Sequence, residues 1–211
     1  MKHVRGYTLL ELVLAMTLTA MLLGMLSAGL YGVVNDWQRD TSGLDRALDK
    51  ALAVLQLDRA LQAAFPHTFI DAERLSRFVY FEGDSDSVSF VSTVSPQRTG
   101  GLTTWQLVSD DRDGVQLRIS PAYSDNPDQR LESLDTVTLL ADYRAELRYL
   151  AQKADGKEWQ DEWQGSERQS LPLAVELVLR PLRRDSDAEV LEILAPIRTW
   201  RNPDIQPVPV N

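Results

Sequence analysis

MKHVRGYTLLELVLAMTLTAMLLGMLSAGLYGVV, residues 1–34, is the stretch on which the reading of this chain turns. From Leu12 to Val34 there are 23 residues without a formal charge. A helix of that length rises roughly 35 Å, against a hydrocarbon core of about 30 Å, so it is long enough to span a membrane. In front of it lie the basic residues Lys2 and Arg5, and one acid, Glu11, sits inside the apolar run. A secretory signal carries its small-residue cleavage site after the apolar core. Here the small residue, Gly6, comes before the core, so a cut there leaves the hydrophobic helix on the mature chain. An acid at the centre of a bilayer costs about 2.5–3.5 kcal/mol on insertion scales and usually has a partner. Glu11 lies near one end of the span, which lowers that cost and keeps the need for a partner.

Composition narrows the classes open to the rest. A chain of 211 residues has room for one membrane anchor and one modest domain. Loss of residues 1–6 removes Lys2 and Arg5 and leaves 20 basic against 31 acidic residues, a formal charge of −11. Such a chain is repelled by nucleic acid and by anionic lipid surfaces, so no nucleic-acid partner is expected. There is no cysteine, which excludes disulfides, thiolate metal sites and cysteine nucleophiles. The basic leader places the N-terminus in the cytoplasm and everything after Val34 outside, which in a bacterium is the periplasm.

Past the span the helical pattern continues. Leu44, Leu48, Leu52 and Leu55 recur at spacings of four, four and three, with charged residues on the other faces. The Phe65-Pro66 step ends the pattern, since the residue before proline is pushed out of the α region. Unbroken from Tyr7 to Ala64, this helix is roughly 87 Å long. Ser42-Gly43, with Asp45 three residues after Ser42, is the one place where it could be re-capped and kinked.

Beyond Pro66 the period changes from about 3.6 to 2. Alternation marks strands around Val115–Ile119, Tyr143–Tyr149 and Leu171–Leu179, with further strands at 76–82, 87–94, 103–109 and 189–195. One-sided alternation indicates antiparallel sheet with a solvated face. The expected fold is α+β, a long N-terminal helix laying its leucine stripe on an antiparallel sheet. The expected segments are a leader at 1–6, a transmembrane helix at 7–35, its periplasmic continuation at 36–64, a β-rich domain at 65–198 and a proline-rich tail at 199–211.

The N-terminal residues resemble the class III signal of type IV pilins and of the pseudopilins of type II secretion systems. Gly6 takes the last leader position, Tyr7 the first mature position, where these families usually carry Phe, and Glu11 the fifth. The resemblance implies that a prepilin peptidase cleaves between Gly6 and Tyr7 and that the new amine of Tyr7 is N-methylated. It also implies that Glu11 pairs with the N-terminal amine of a neighbouring subunit during assembly. A looser resemblance covers the C-terminal half, through Leu139-Leu140, the strand Tyr143–Leu150, a polar hairpin holding Trp159 and Trp163, and Leu171–Leu177. This order is similar to the J-class minor pseudopilin of the type II secretion system. It implies the pseudopilin fold and a place in the tip complex that primes pseudopilus assembly and helps export folded proteins across the outer membrane. The implied partners are the I-, K- and H-class minor pseudopilins, the major pseudopilin and the prepilin peptidase. The implied location is the bacterial inner membrane, crossed once. Leu48, Leu52 and Leu55 are the candidate contacts with these partners.

No catalytic constellation accompanies these motifs. After cleavage His67 is the only histidine, there is no G-x-S-x-G elbow, and neither common phosphate-cradling glycine loop occurs. Asp84-Ser85-Asp86 and Asp110–Gly114 carry oxygen ligands but lack the twelve-residue calcium loop with its terminal Glu, so they read as solvated turns. A chain without an enzymatic role, a metal or a cofactor is expected. A minor pilin of a type IV pilus shares the N-terminal motif, and a membrane-anchored periplasmic binding module is also open.

Overall fold

The computed structural model describes residues 8–71, 76–96, 100–123, 126–183 and 188–204, with the side chains of 32–43, 46, 71 and 76 excepted. The chain divides into two units, Met1–Asp49 and Lys50–Asn211. One helix, α1 (Leu9–Gln62, 54 residues), contributes to both and is helical through Ser42-Gly43. The strands that follow are all paired antiparallel, so the fold is α+β.

Within the second unit a short hairpin joins β1 (Thr68–Asp71) to β2 (Ser76–Val79). A six-stranded sheet is built from β3 (Phe81–Gly83), β4 (Ser87–Ser92), β5 (Thr103–Asp110), β6 (Gly114–Pro121), β7 (Val137–Leu140) and β10 (Trp163–Gln164). Its spatial order is β10-β3-β4-β5-β6-β7. A four-stranded sheet holds β8 (Tyr143–Lys153), β9 (Gly156–Gln160), β11 (Ala174–Pro181) and β12 (Leu191–Pro196), in the order β12-β11-β8-β9. Two short helices, α2 (Pro127–Glu132) and α3 (Gly165–Arg168), fill connections. α2 starts with Asn126, whose side chain accepts the Asp128 N–H, followed by proline at the first helical position.

Both sheets and the last turns of α1 share one core. Along β8 the pattern is strict, with Tyr143, Ala145, Leu147, Tyr149 and Ala151 buried and the residues between them more open. Ala53, Leu57, Ala60, Leu61 and Ala64 of the helical end join Phe81, Phe90, Trp105, Leu177, Ile193 and Ala195 in this core. Small alanines there let the helix backbone approach the strands closely, and Leu57 and Leu61 fill the space between. Trp105 stacks on Phe90 with ring centroids 6.3 Å apart, and its indole N–H donates to Val94 O at 3.0 Å.

The helix end is fixed by a strand. The last carbonyls of a helix have no intrahelical donor. Ser92 of β4, fully buried, donates its hydroxyl to Ala60 O at 2.9 Å and to Ala63 O at 3.2 Å. Thr93 N–H also donates to Ala63 O, and Phe65 N–H to Val91 O. α1 therefore stops at Gln62, two residues short of the Ala64 expected from Phe65-Pro66, because Ala64 has already left the helix to bridge Ser92.

Several sequence expectations are corrected. Within the second unit the leucine stripe is not the face that meets the sheets: Leu52 and Leu55 are exposed. At 3.6 residues per turn the mean direction of Leu52 and Leu55 lies roughly 150° around the helix from that of Ala53, Leu57, Ala60 and Leu61. There are two main sheets where one was expected. The strand expected at 76–82 is broken at Tyr80, which separates β2 from β3. Trp159 and Trp163 are not one hairpin: Trp159 sits on β9 beside β8, while Trp163 sits on β10 beside β3, in the other sheet. The strand expected from Leu171 begins at Ala174, because Pro172 has no N–H for a ladder. Leu171 N–H turns instead to Trp200 O.

Candidate functional site

The processing residues Gly6 and Tyr7 lie outside the described residues. The described residues begin with Thr8. Its hydroxyl accepts the Glu11 N–H at 3.3 Å, and Glu11 Oε2 accepts the Thr8 N–H at 3.1 Å and the Thr8 hydroxyl at 3.2 Å. This is a capping box: two orphan donors at the helix start are satisfied reciprocally, and the carboxylate sits at the positive end of the helix dipole. Sequence reasoning treated Glu11 only as an acid awaiting a partner from another subunit. The signal it missed was the T-x-x-E spacing of Thr8 and Glu11.

Below the cap, Leu9–Tyr31 forms a 23-residue span of mean hydropathy 2.1, none of it buried. By length and composition it is suited to anchor the chain in a membrane. Two of its hydroxyls bond within the helix: Thr17 donates to Leu14 O at 2.9 Å and Thr19 to Ala15 O at 2.7 Å. Such bonds remove the need for water that a lone hydroxyl would have in lipid.

Residues 1–27 match the family model described as the Prokaryotic N-terminal methylation motif. The N-terminus is type IV pilin-like. No curated protein matches the chain. The methylation motif thus contains the cap, the acid and most of the apolar span, and ends well before the β-rich unit.

Outside the motif, the candidate contact residues Leu48, Leu52 and Leu55 are 55%, 47% and 42% exposed, so none of them is core. Beside Leu55 runs a groove of about 640 Å³ lined by Lys50, Ala51, Val54 and Asp58 of α1 and by Leu191–Leu194 of β12. Sequence patterning does not reveal it, because its two walls are more than 130 residues apart in the chain. Lys50 is engaged on the domain side: its Nζ donates to the Tyr143 hydroxyl at 2.9 Å and lies 5.0 Å from the ring centroid.

The acidic turns are internally bonded. Asp84 accepts the Asp86 and Ser87 N–H groups, and Asp110 accepts those of Arg112 and Asp113. The bonds to Arg112 and Asp113 hold the Asp110 carboxyl below the usual carboxylate range. Both turns border an open polar groove of about 680 Å³ that also exposes Arg144, Glu146, Arg148 and Asp161. Several of its charges are paired: Arg144 with Asp111 and Glu146, and Arg148 with Asp161, while Arg180 and Glu176 join from outside the groove. Among the described residues no cluster of three or more His, Asp or Glu is arranged to hold a metal ion.

Elsewhere the ionisable groups serve the fold. His67 Nε2 is 2.8 Å from Tyr123 O, in the connection after the helix. Burial pushes the Glu82 carboxyl upward, partly countered by hydrogen bonds from Ser166. Burial likewise raises Tyr80, whose hydroxyl donates to Asp128 at 2.6 Å.

Proposed function

We propose that this chain is a minor pseudopilin of the J class in a type II secretion system. In this reading it is cut between Gly6 and Tyr7 by a prepilin peptidase, methylated at Tyr7 and held in the inner membrane with its β-rich domain in the periplasm. There it joins the I-, K- and H-class minor pseudopilins in the tip complex that primes a pseudopilus of the major subunit, and so helps move folded proteins across the outer membrane. It acts by assembly and not as an enzyme.

The observation that carries the reading is the placement of Glu11 five positions after Gly6, at the first turn of an apolar span. A carboxylate and a terminal amine are each costly in lipid and much less so together. Glu11 of one subunit meeting the Tyr7 amine of another would therefore set the register between neighbouring helices. The exposed stripe Leu48–Leu55 supports the same reading, because a helix face left out of its own core needs another helix to cover it.

The test is mass analysis of the membrane-bound form, combined with co-purification from the native host. A mature chain that starts at a methylated Tyr7 and brings down the I- and K-class subunits is the expected result. A mature start beyond Val34 would remove the anchor and overturn the reading. A correct start at Tyr7 in company with pilus subunits alone would reassign the chain to a type IV pilus.

A further inference from the structure

The four-stranded sheet leaves one long edge open beside the groove on α1. Its hydrogen-bond phase can be read from the register. β11 and β12 pair with Val175 opposite Ala195 and Leu177 opposite Ile193. Continued by one step, that register sets Leu173 opposite Ile197, and there the Ile197 N–H donates to Leu173 O at 2.9 Å. In antiparallel pairs the bonded positions recur every second residue. Ala195, Ile193 and Leu191 therefore turn their backbone groups toward β11. Glu192 and Leu194 turn theirs outward, and Pro196, which has no N–H, closes the edge. Among the described residues no strand pairs with β12 on that side.

Two features give this edge a binding character. First, the groove alongside it has an apolar floor from Ala51, Val54, Leu55, Leu191 and Ile193. Second, its rim is acidic. Asp58 and Glu192 line it, Glu189 is exposed just before the strand, and the one lining cation, Lys50, is drawn away to Tyr143. A helix docked here would leave the outward amides of Glu192 and Leu194 without acceptors, whereas a strand would satisfy them. Residues 191–194 cover roughly 10 Å at about 3.3 Å per residue, which suits a segment of some four to six residues.

We propose that the β12 edge and its groove bind an extended segment of a partner protein by strand addition, the segment alternating apolar side chains with lysine or arginine. Backbone bonds to Glu192 and Leu194 fix its direction, alternate apolar side chains enter the groove, and its cations meet Asp58 and Glu192. This surface shares Leu55 with the Leu48–Leu55 stripe but is centred on the β12 edge, and it does not depend on the filament reading.

The experiment uses the full chain in detergent micelles. The probe is a blocked seven-residue peptide of alternating valine and threonine with lysine at both ends, and its counterpart with glutamate in place of lysine. Hydrogen exchange at the Glu192 and Leu194 amides is expected to slow at least tenfold with saturating lysine peptide. The glutamate peptide is expected to bind at least tenfold more weakly. Leu194→Pro removes one outward N–H without touching the β11 ladder, and should weaken the lysine peptide at least tenfold at unchanged Tm. Unprotected Glu192 and Leu194 amides in the presence of bound peptide, or equal binding of the two peptides, would overturn the proposal. Protection confined to α1, with none at β12, would overturn it as well. The exchange measurement is made on the unsubstituted protein, so it stands even where Leu194→Pro perturbs the fold.

Discussion

Glu11 carries two separable roles, and the capping box shows how to part them. As a hydrogen-bond acceptor it satisfies the Thr8 N–H, a task that glutamine at the same position performs as well. As a charge it is the group available to a neighbouring amine. Glu11→Gln should therefore keep the helix start ordered and insert into membranes at least as well as the natural protein, yet lose assembly. Glu11→Ala should lose both, with fraying of the first turn and about 1 kcal/mol of local helix stability gone. Amide exchange at Leu9–Leu12 reads the cap, and native-level secretion reads assembly. Normal secretion by Glu11→Gln would show that the charge is dispensable and that Glu11 serves only the cap. The existence of an acid here was legible from sequence, since one carboxylate in 23 apolar residues stands out. Its partner three residues away is less visible, because a carboxylate in an apolar run marks itself by charge, whereas the backbone donors at a helix start leave no mark in composition.

At the scale of the element, α1 presents two apolar faces, and the sequence made the wrong one prominent. Four leucines at regular spacing outweigh a face built mainly of alanine, yet Ala53, Ala60 and Ala64 are the residues that allow close approach to the strands. Periodicity finds that a helix is amphipathic; it does not say which of two apolar stripes is covered by the same chain. The strands were legible where one face is solvated, as in β8, and less so where proline or a mid-strand break intervenes, as at Pro172 and Tyr80. The two faces predict opposite mutational outcomes. Leu57→Ala opens a cavity in the shared core and should cost about 2–5 kcal/mol, a fall in Tm on the order of 10 °C. Leu52→Ser touches no core residue and should change Tm by less than about 2 °C. It should nonetheless weaken binding to other subunits if the stripe is an interface. Thermal unfolding of the two variants side by side checks this, and a Tm loss for Leu52→Ser equal to that for Leu57→Ala would contradict the assignment of faces.

For the whole molecule, the division at Asp49 and Lys50 separates two kinds of stability. The first unit holds the exposed apolar span, for which lipid and not a protein core is the matching surroundings. Among the described residues, the second holds every member of the buried hydrophobic core, the earliest of them Ala53. That an apolar N-terminal helix exists was legible from sequence because hydropathy marks it, although the span runs Leu9–Tyr31 and not Leu12–Val34. The division of strands between two sheets was not, because pairing across long loops leaves no local signature. A fragment starting at Asp36 keeps all core residues and the helix turns that Ser92 caps, so it should fold without the membrane segment and unfold in one cooperative transition. A fragment starting at Leu61 loses Ala53, Leu57 and Ala60 from the inner faces of both sheets. The uncovered Phe90, Leu177 and Ile193 should then drive aggregation, or leave a state without fixed packing. Dispersed amide spectra and a sigmoidal melt are expected for the Asp36 fragment, and neither for the Leu61 fragment. Equal folding of both would mean that the helix end is an accessory to the sheets, and the core drawn through Leu57 and Leu61 would have to be abandoned.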